Sequence, residues 1–403
     1  MYKINYTLNH DQLDFKKIIY DHLWIAKNNH NLLSKKKTII FLIKSFLRTL
    51  YNSLITYPVI KFPRFKKSSI FYIRAFNRSD LVKHSQYYEN IDGTTVCVFK
   101  ERKIKINIFI FIKCLIILLN SRKLWLNSYN SSGIKFFSLN GLKIFIVLFD
   151  ACSDAFKILP ILLTHTKLVS FEENVPIENI ICQIANINKI ETFALQHAIA
   201  AFKEDGPVEV RYPICNYLNS VCKNVLAWGN YNKDFFEKYT NAKVFIVGKP
   251  ALPIEKPSLD GATILFENIA SKETNSKLFS LSKSLLDKGI PVSHWFKPGH
   301  ILNKSKVIRQ GPLRKTVIGV NTSLCVELGF LGFQVFLLEK SSLAEFLPNK
   351  LILKTKDEIS SSNLLLEDYP CTAWKHFIEC SGNESVARYK NIILNDKTDI
   401  HKL

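Results

Sequence analysis

Two hydroxyls and a carboxylate stand at helical spacing in the stretch Thr316 to Leu338, which reads TVIGVNTSLCVELGFLGFQVFLL. Asn321, Thr322 and Ser323 have short side chains that accept hydrogen bonds from unpaired backbone N–H groups, so they read as helix N-cap residues. A helix start gathers N–H donors and partial positive charge, which suits a phosphate. Glu327 follows one turn later, where a carboxylate can reach a ribose hydroxyl. The same residues also make an ordinary capped strand–helix–strand unit. A second group lies upstream. Glu172 and Glu173 follow the apolar run KLVSF (167–171), and His197 closes TFALQH (192–197). Open α/β sheets place ligands beyond the carboxyl ends of parallel strands, so these three residues fall on one expected rim. A pair of solvated loop carboxylates and a histidine bonded to a loop carbonyl are the plain alternatives.

Positioning these groups requires alternating strands and helices. Val317–Val320 reads as a buried strand, 324–331 as a short helix stopped by Gly332, and 334–338 as the next strand, together one βαβ unit. The same alternation runs through the chain. Strands are expected at SSIFYIRA (68–75), 93–99, KLVSF and 192–195, with a helix over 177–186. The stretch 224–250 reads strand, glycine turn at Gly229, helix, strand, then the turn Gly248-Lys249-Pro250. Residues 251–260 hold two prolines and make the best linker. Strands follow at ATILFEN (262–268), PVSHWFK (291–297) and LILK (351–354), with a helix to about 288 between the first two and closing helices in 372–393. The expected fold is α/β: two Rossmann-like domains facing a cleft. A basic helical extension (1–66) precedes an N-terminal domain (67–250) and a C-terminal domain (251–403).

Composition narrows the class. The 403 residues are enough for two domains of roughly 100–200 residues each. Hydrophobic residues make up 47%, so a packed core is expected, not disorder. Lys and Arg exceed Asp and Glu by 55 to 34, a formal charge of +21 that implies an acidic partner. The excess is dense before residue 150. No zinc-finger spacing or RNP-like aromatic motif accompanies it, so nucleic acid is not favoured. Nine single cysteines without a C-x-x-C pair fit reduced, mostly buried thiols in a cytoplasmic protein. The N-terminus lacks an apolar secretory core. The run Ile104–Leu119 is short of the roughly 20 apolar residues that span a bilayer and is interrupted by Lys105, Asn107 and Lys113. It is expected as a buried helix or strand, an interfacial segment being the alternative. The run 39–60 reads as an amphipathic helix, either packed on the domain behind it or lying on an anionic membrane face.

Four pieces stand in order: KLVSFEENVPIENIICQIANINKIETFALQHA, NVLAWGNYNKDFFEKY with VFIVGKP, PVSHWFKPGH, and TVIGVNTSLCVELGFLG. The series resembles the GT-B-fold glycosyltransferases of bacterial surface-polysaccharide assembly, most nearly their capsule and CDP-glycerol glycerophosphotransferase-like branch. It covers about residues 165–340 and, more weakly, the first sheet from 68. Two departures stand out. Ala198 follows Gln196-His197 where such proteins usually carry Gly. Lys297-Pro298-Gly299-His300 replaces a Lys-x-His-Pro order, leaving open whether His294 or His300 meets a phosphate.

The resemblance implies transfer from a nucleotide-activated sugar donor to a hydroxyl of a glycan or lipid-linked acceptor. Thr322 and Ser323 would hold the donor phosphate and Glu327 the ribose. Lys297 and His300 would stabilise charge at the phosphate. A hydroxyl nucleophile needs a base near its proton, and a histidine has a suitable pKa without tuning. His197 is that candidate, with Glu172 or Glu173 the rival if burial raises its pKa. No Asp-x-Asp motif stands in a convincing place, so no metal and no cofactor are implied. A polyol-phosphate transferase, a nucleotide-sugar epimerase, or a non-catalytic nucleotide- or glycan-binding protein on the same scaffold are the other readings. The expected location is cytoplasmic, with possible peripheral contact to the anionic inner membrane face.

Overall fold

A computed structural model of the chain describes residues 13, 18, 35–62, 69–74, 93–97, 102–121, 139–171, 175–199, 220–250, 259–266, 272–296, 309–320, 322–339, 341, 343–353 and 369–394. The chain separates into two compact units. The first holds Met1–His197, Cys215–Leu226 and Phe236–Phe245; the second holds Ala198–Ile214, Ala227–Phe235 and Ile246–Leu403.

The elements begin with α1 (Lys35–Ile55), β1 (Thr56–Pro58), β2 (Ile60–Lys61), β3 (Ile70–Arg74), β4 (Thr94–Cys97), β5 (Arg102–Ile104), α2 (Ile108–Asn120) and α3 (Leu139–Leu162). β6 (Lys167–Ser170), α4 (Pro176–Ile187), β7 (Glu191–Leu195), β8 (Asn224–Ala227), α5 (Asn230–Tyr239) and β9 (Lys243–Ile246) follow. Among the described residues, seven strands form one sheet in the order β2-β4-β3-β6-β7-β8-β9. The β3, β4, β6, β7 and β8 pairings are parallel, and β2 is antiparallel to β4. Phe71, Tyr72, Ile73, Leu168, Val169 and Phe193 are buried. Such unbroken apolar runs are what strands covered on both faces require.

The helix expected through residue 60 stops at Ile55, and Thr56–Pro58 pairs antiparallel with β5. Pro58 has no N–H to continue a helix and disfavours helical backbone at Tyr57. The run Ile104–Leu119 is helical from Ile108 but only partly buried. Cys114, Ile117 and Leu118 face inward, while Ile104, Ile106 and Phe109 are 78%, 78% and 82% exposed.

An ion pair fastens β5 to α3, and a hydrogen bond from Lys157 fastens α1 to it. Arg102 donates to both oxygens of Asp154, at 2.8 and 2.7 Å, and its Nε donates to Thr56 Oγ1 at 2.6 Å. Lys157 Nζ donates to the Asn52 carbonyl at 2.7 Å and lies 3.5 Å from Asp154. Asp150 sits one turn before Asp154. Burial, then the Asp154 charge, push its pKa up to about 6, against the pull of Arg102, Asn52 and Arg48. A carboxyl raised in the folded state favours folding below its unfolded pKa of 3.8 and loses that contribution as pH rises through about 6. Asp150→Asn is therefore expected to raise the melting temperature at about pH 8, by the equivalent of about 1–2 kcal/mol, and to change little near pH 4. Thermal unfolding of both proteins at the two pH values checks this; equal melting temperatures at the higher pH would refute it.

The second unit is built from β10 (Ala262–Phe266), α6 (Lys272–Asp287), β11 (Val292–Phe296), β12 (Arg309–Gln310), β13 (Thr316–Gly319), α7 (Ser323–Phe330), β14 (Gln334–Leu338), β15 (Ile352–Leu353), a 3₁₀ turn at Cys371–His376 and α8 (Gly382–Leu394). Its sheet has the order β12-β11-β10-β13-β14-β15, parallel except for the β11–β12 edge. Alternation along each strand divides the core. Ile264, Ile318 and Phe336 pack with Leu278, Leu281 and Leu285 of α6. Leu265, Val317 and Val335 pack with Trp228, Trp374 and Phe377. Gly329 permits the close approach of α7 to the 3₁₀ turn, because a Cβ there would lie 2.3 Å from the Trp374 ring. The architecture is α/β, with two parallel Rossmann-like sheets.

Candidate nucleotide site

After β9 the backbone turns at Gly248, whose φ is +76°. A side chain there would be strained, and its Cβ would meet the Cys380 carbonyl oxygen at 2.3 Å. The next amide, Lys249 N, donates to that same carbonyl at 2.9 Å. The turn sends the Lys249 side chain into the second unit, where it is 4% exposed. Its ammonium lies 2.5 Å from Glu327 Oε1 and 4.2 Å from the centroid of the Trp228 ring. Trp228 is fully buried. Burial lowers the Lys249 pKa, and the Glu327 carboxylate opposes that shift. An ion pair this deep loses much hydration, and its attraction repays that loss only in good geometry. A buried cation whose pKa is lowered, held against a specific carboxylate partner, is a functional-site candidate on physical grounds.

Glu327 is positioned by α7. Thr322 is the N-cap, with extended backbone, and its Oγ1 accepts from Leu324 N at 3.3 Å. Ser323 opens the helix. Ser341 Oγ donates to the Val320 carbonyl at 2.7 Å and fixes the chain just past β13. Thr322, Ser323 and Glu327 thus share one element. Lys249 and Trp228 join them in the same unit, although in the sequence Lys249 stands only as a turn residue. The available signal was a lysine held in a glycine turn directly after an apolar strand.

Lys297 and His300 lie outside the described residues, as do Glu172 and Glu173. His294 faces α6: its Nε2 is 2.6 Å from Ser282 Oγ, and its ring lies against Phe279 and Phe266. Burial lowers its pKa. These contacts make His294 part of the packing between β11 and α6.

In the first unit, Glu178 in the first turn of α4 is fully buried. Its Oε2 accepts from Ser170 Oγ at 2.5 Å and from Phe171 N at 2.8 Å. This carboxylate fixes the carboxyl end of β6, a role the sequence reading missed because Glu178 looks like an ordinary first-turn acid. His197 lies two residues past β7, partly exposed, its ring centroid 6.2 Å from that of Phe171. The preceding Gln196 is buried, and its N–H donates to Leu226 O at 3.1 Å. His197 therefore stands at the carboxyl end of the parallel sheet on a fixed backbone. Among the described residues, no group of three His, Cys, Asp or Glu side chains is placed to hold a metal ion.

No protein-family model matches the chain. No curated protein matches it either. Solved structures do align with it. A UDP-forming α,α-trehalose-phosphate synthase from Burkholderia xenovorans is 9% identical, with a TM-score of 0.38, covering 81% of this chain and 95% of that one. The corresponding synthase from Burkholderia vietnamiensis is 10% identical, with a TM-score of 0.37 and coverage of 81% and 94%. A glycosyltransferase from Rickettsia africae is 11% identical, with a TM-score of 0.37 and coverage of 82% and 100%.

Proposed function

We propose that the chain is a glycosyltransferase of GT-B type, moving a sugar from a nucleotide-activated donor to a hydroxyl of a glycan or lipid-linked acceptor of a bacterial surface polysaccharide. The observation that supports it most is the constellation of the second unit: a Thr322-capped helix start, a carboxylate one turn later, and a buried cation against that carboxylate. The donor domain is residues 251–403 together with Trp228 and the Lys249 turn, which belong to the same unit, and the acceptor domain is the remainder of 67–250, after the basic extension 1–66. On this reading Glu327 accepts from the ribose hydroxyls. Thr322, Ser323 and the partial positive charge of the helix start meet the phosphate. Lys249 supplies positive charge to the leaving phosphate, in place of water. Lys297 and His300 add to that charge. His197 takes the proton of the acceptor hydroxyl, with Glu172 or Glu173 as the alternative base, and no metal takes part. The enzyme works on the cytoplasmic side, in peripheral contact with the membrane.

The competing reading is a binding protein without turnover, favoured by Ala198 in place of a glycine and by the engagement of Glu327 with Lys249. Release of nucleotide from a panel of UDP-, GDP- and CDP-linked donors, with and without glycan acceptors, separates the two. Release from one donor class that rises with acceptor supports transfer. Release from none supports the binding protein, and a glycerol-phosphate product would redirect the proposal to polyol-phosphate transfer.

A further inference from the structure

We infer that the end of β5 and the outer face of α2 form a docking surface for an anionic membrane. Phe109, Ile112, Ile116 and Leu119 recur at three- and four-residue spacing on α2 and are 82%, 46%, 52% and 41% exposed. Ile104 and Ile106 lead into this stripe. Single exposed apolar residues need no explanation, but a continuous run of six marks an interaction surface. The helix itself is held in place from its other side. Asn107 Oδ1 accepts from Ile110 N at 3.1 Å and caps it. Phe111 meets Phe149 of α3 edge-on, with centroids 5.1 Å apart.

Charge selects the occupant. Residues 35–62 and 102–121 hold ten Lys or Arg and no Asp or Glu. Lys103, Lys105 and Lys113 are exposed among the apolar residues of the stripe. Lys105 Nζ lies 5.2 Å from the Tyr57 ring centroid and Lys113 Nζ 4.8 Å from that of Phe156. Their stems can run along apolar surface while the ammonium reaches a polar layer. A second copy of this chain would bring the same cations against these. Anionic headgroups are complementary to them. The 13 residues of α2 extend only about 20 Å, short of a hydrocarbon core of about 30 Å. Among the described residues, no helix is long and apolar enough to cross a membrane. The helix therefore lies in the interface, apolar face down. The sequence left this run open as an interfacial segment and α1 as a second membrane face, and α1 also exposes Ile43, Phe46, Leu47 and Tyr51; the inference does not depend on the transferase reading.

Flotation of the full chain with phosphatidylglycerol vesicles and with phosphatidylcholine vesicles tests the inference. Binding to the anionic vesicles is expected, weakened by high salt and by at least about tenfold in the double variant Phe109→Asp, Ile112→Asp. Both positions are exposed, so the variant should keep its unfolding temperature; Ile106→Asp, ahead of the helix, serves if it does not. Absence of wild-type binding, or equal binding to neutral vesicles, would overturn the inference. So would unchanged binding of the variants. Vesicle-free dimerisation abolished by the same substitutions would assign the surface to a second copy instead.

Discussion

Glu327→Ala is expected to be among the most damaging single substitutions in the chain, lowering stability by about 3–5 kcal/mol. The reason is the partner it leaves behind. Lys249 is 4% exposed, and its ammonium would then sit uncompensated against the Trp228 ring. The cation–π contact with Trp228, worth about 2 kcal/mol, is there with or without Glu327 and does not replace it. Lys249→Met should cost less, because the thioether fills the space and the remaining carboxylate, at 9% exposure, keeps more contact with water than the ammonium at 4%. The double substitution Lys249→Met, Glu327→Leu should recover most of the stability, since apolar replacement of a buried pair is often neutral. Urea denaturation of the four proteins checks this. A Glu327→Ala protein within about 1 kcal/mol of wild type would mean that the pair is hydrated and weak. The functional corollary separates from the structural one. A stable double variant should still fold and yet fail to bind nucleotide, having lost both the proposed ribose acceptor and the cation beside it.

The second large effect is on rate. Under the proposed mechanism His197→Ala should lower kcat about 10²–10⁴-fold, the usual contribution of a general base, with little change in the donor KM. The stability of the first unit should hardly change, because His197 is partly exposed at a strand end. Steady-state kinetics with the donor identified by the release panel makes the measurement. Full activity in His197→Ala would remove it as the base and leave Glu172 or Glu173.

The unit β13–α7–β14 was legible because each signal is local. Val317 and Ile318 form an apolar run, Thr322 caps, and Gly332 at φ +90° ends the turn. The central strands β3, β6, β7 and β10 were legible for the same reason. The edge pieces were not. β1, β5 and β12 are two or three residues long and owe their form to a partner distant in sequence, as Thr56 does to Ile104. The faces of α2 were misread because Ile and Phe recur on both sides of it, and only packing decides which side is covered. Lys249 and Glu327 escaped notice as a pair because nothing local links them: a lysine in a turn and a carboxylate on a helix are each unremarkable alone. His294 shows the converse. Its neighbourhood in sequence suggested a phosphate, and its contacts with Ser282 and Phe279 tie it to α6.

The central claim is that the start of α7, with Glu327 and Lys249, grips a nucleotide. The most direct test is the shift in melting temperature on adding UDP, CDP, CMP or GDP to the wild-type chain and to Ser323→Glu. A carboxylate in the first turn favours the helix but repels a phosphate placed there. At least one nucleotide should raise the wild-type melting temperature by several degrees at a hundredfold excess over its Kd, about 2.7 kcal/mol of linkage. The variant should unfold at the wild-type temperature without nucleotide and show no shift with it. Wild-type protein unmoved by all four nucleotides at millimolar concentration, or a shift preserved in Ser323→Glu, would contradict the claim.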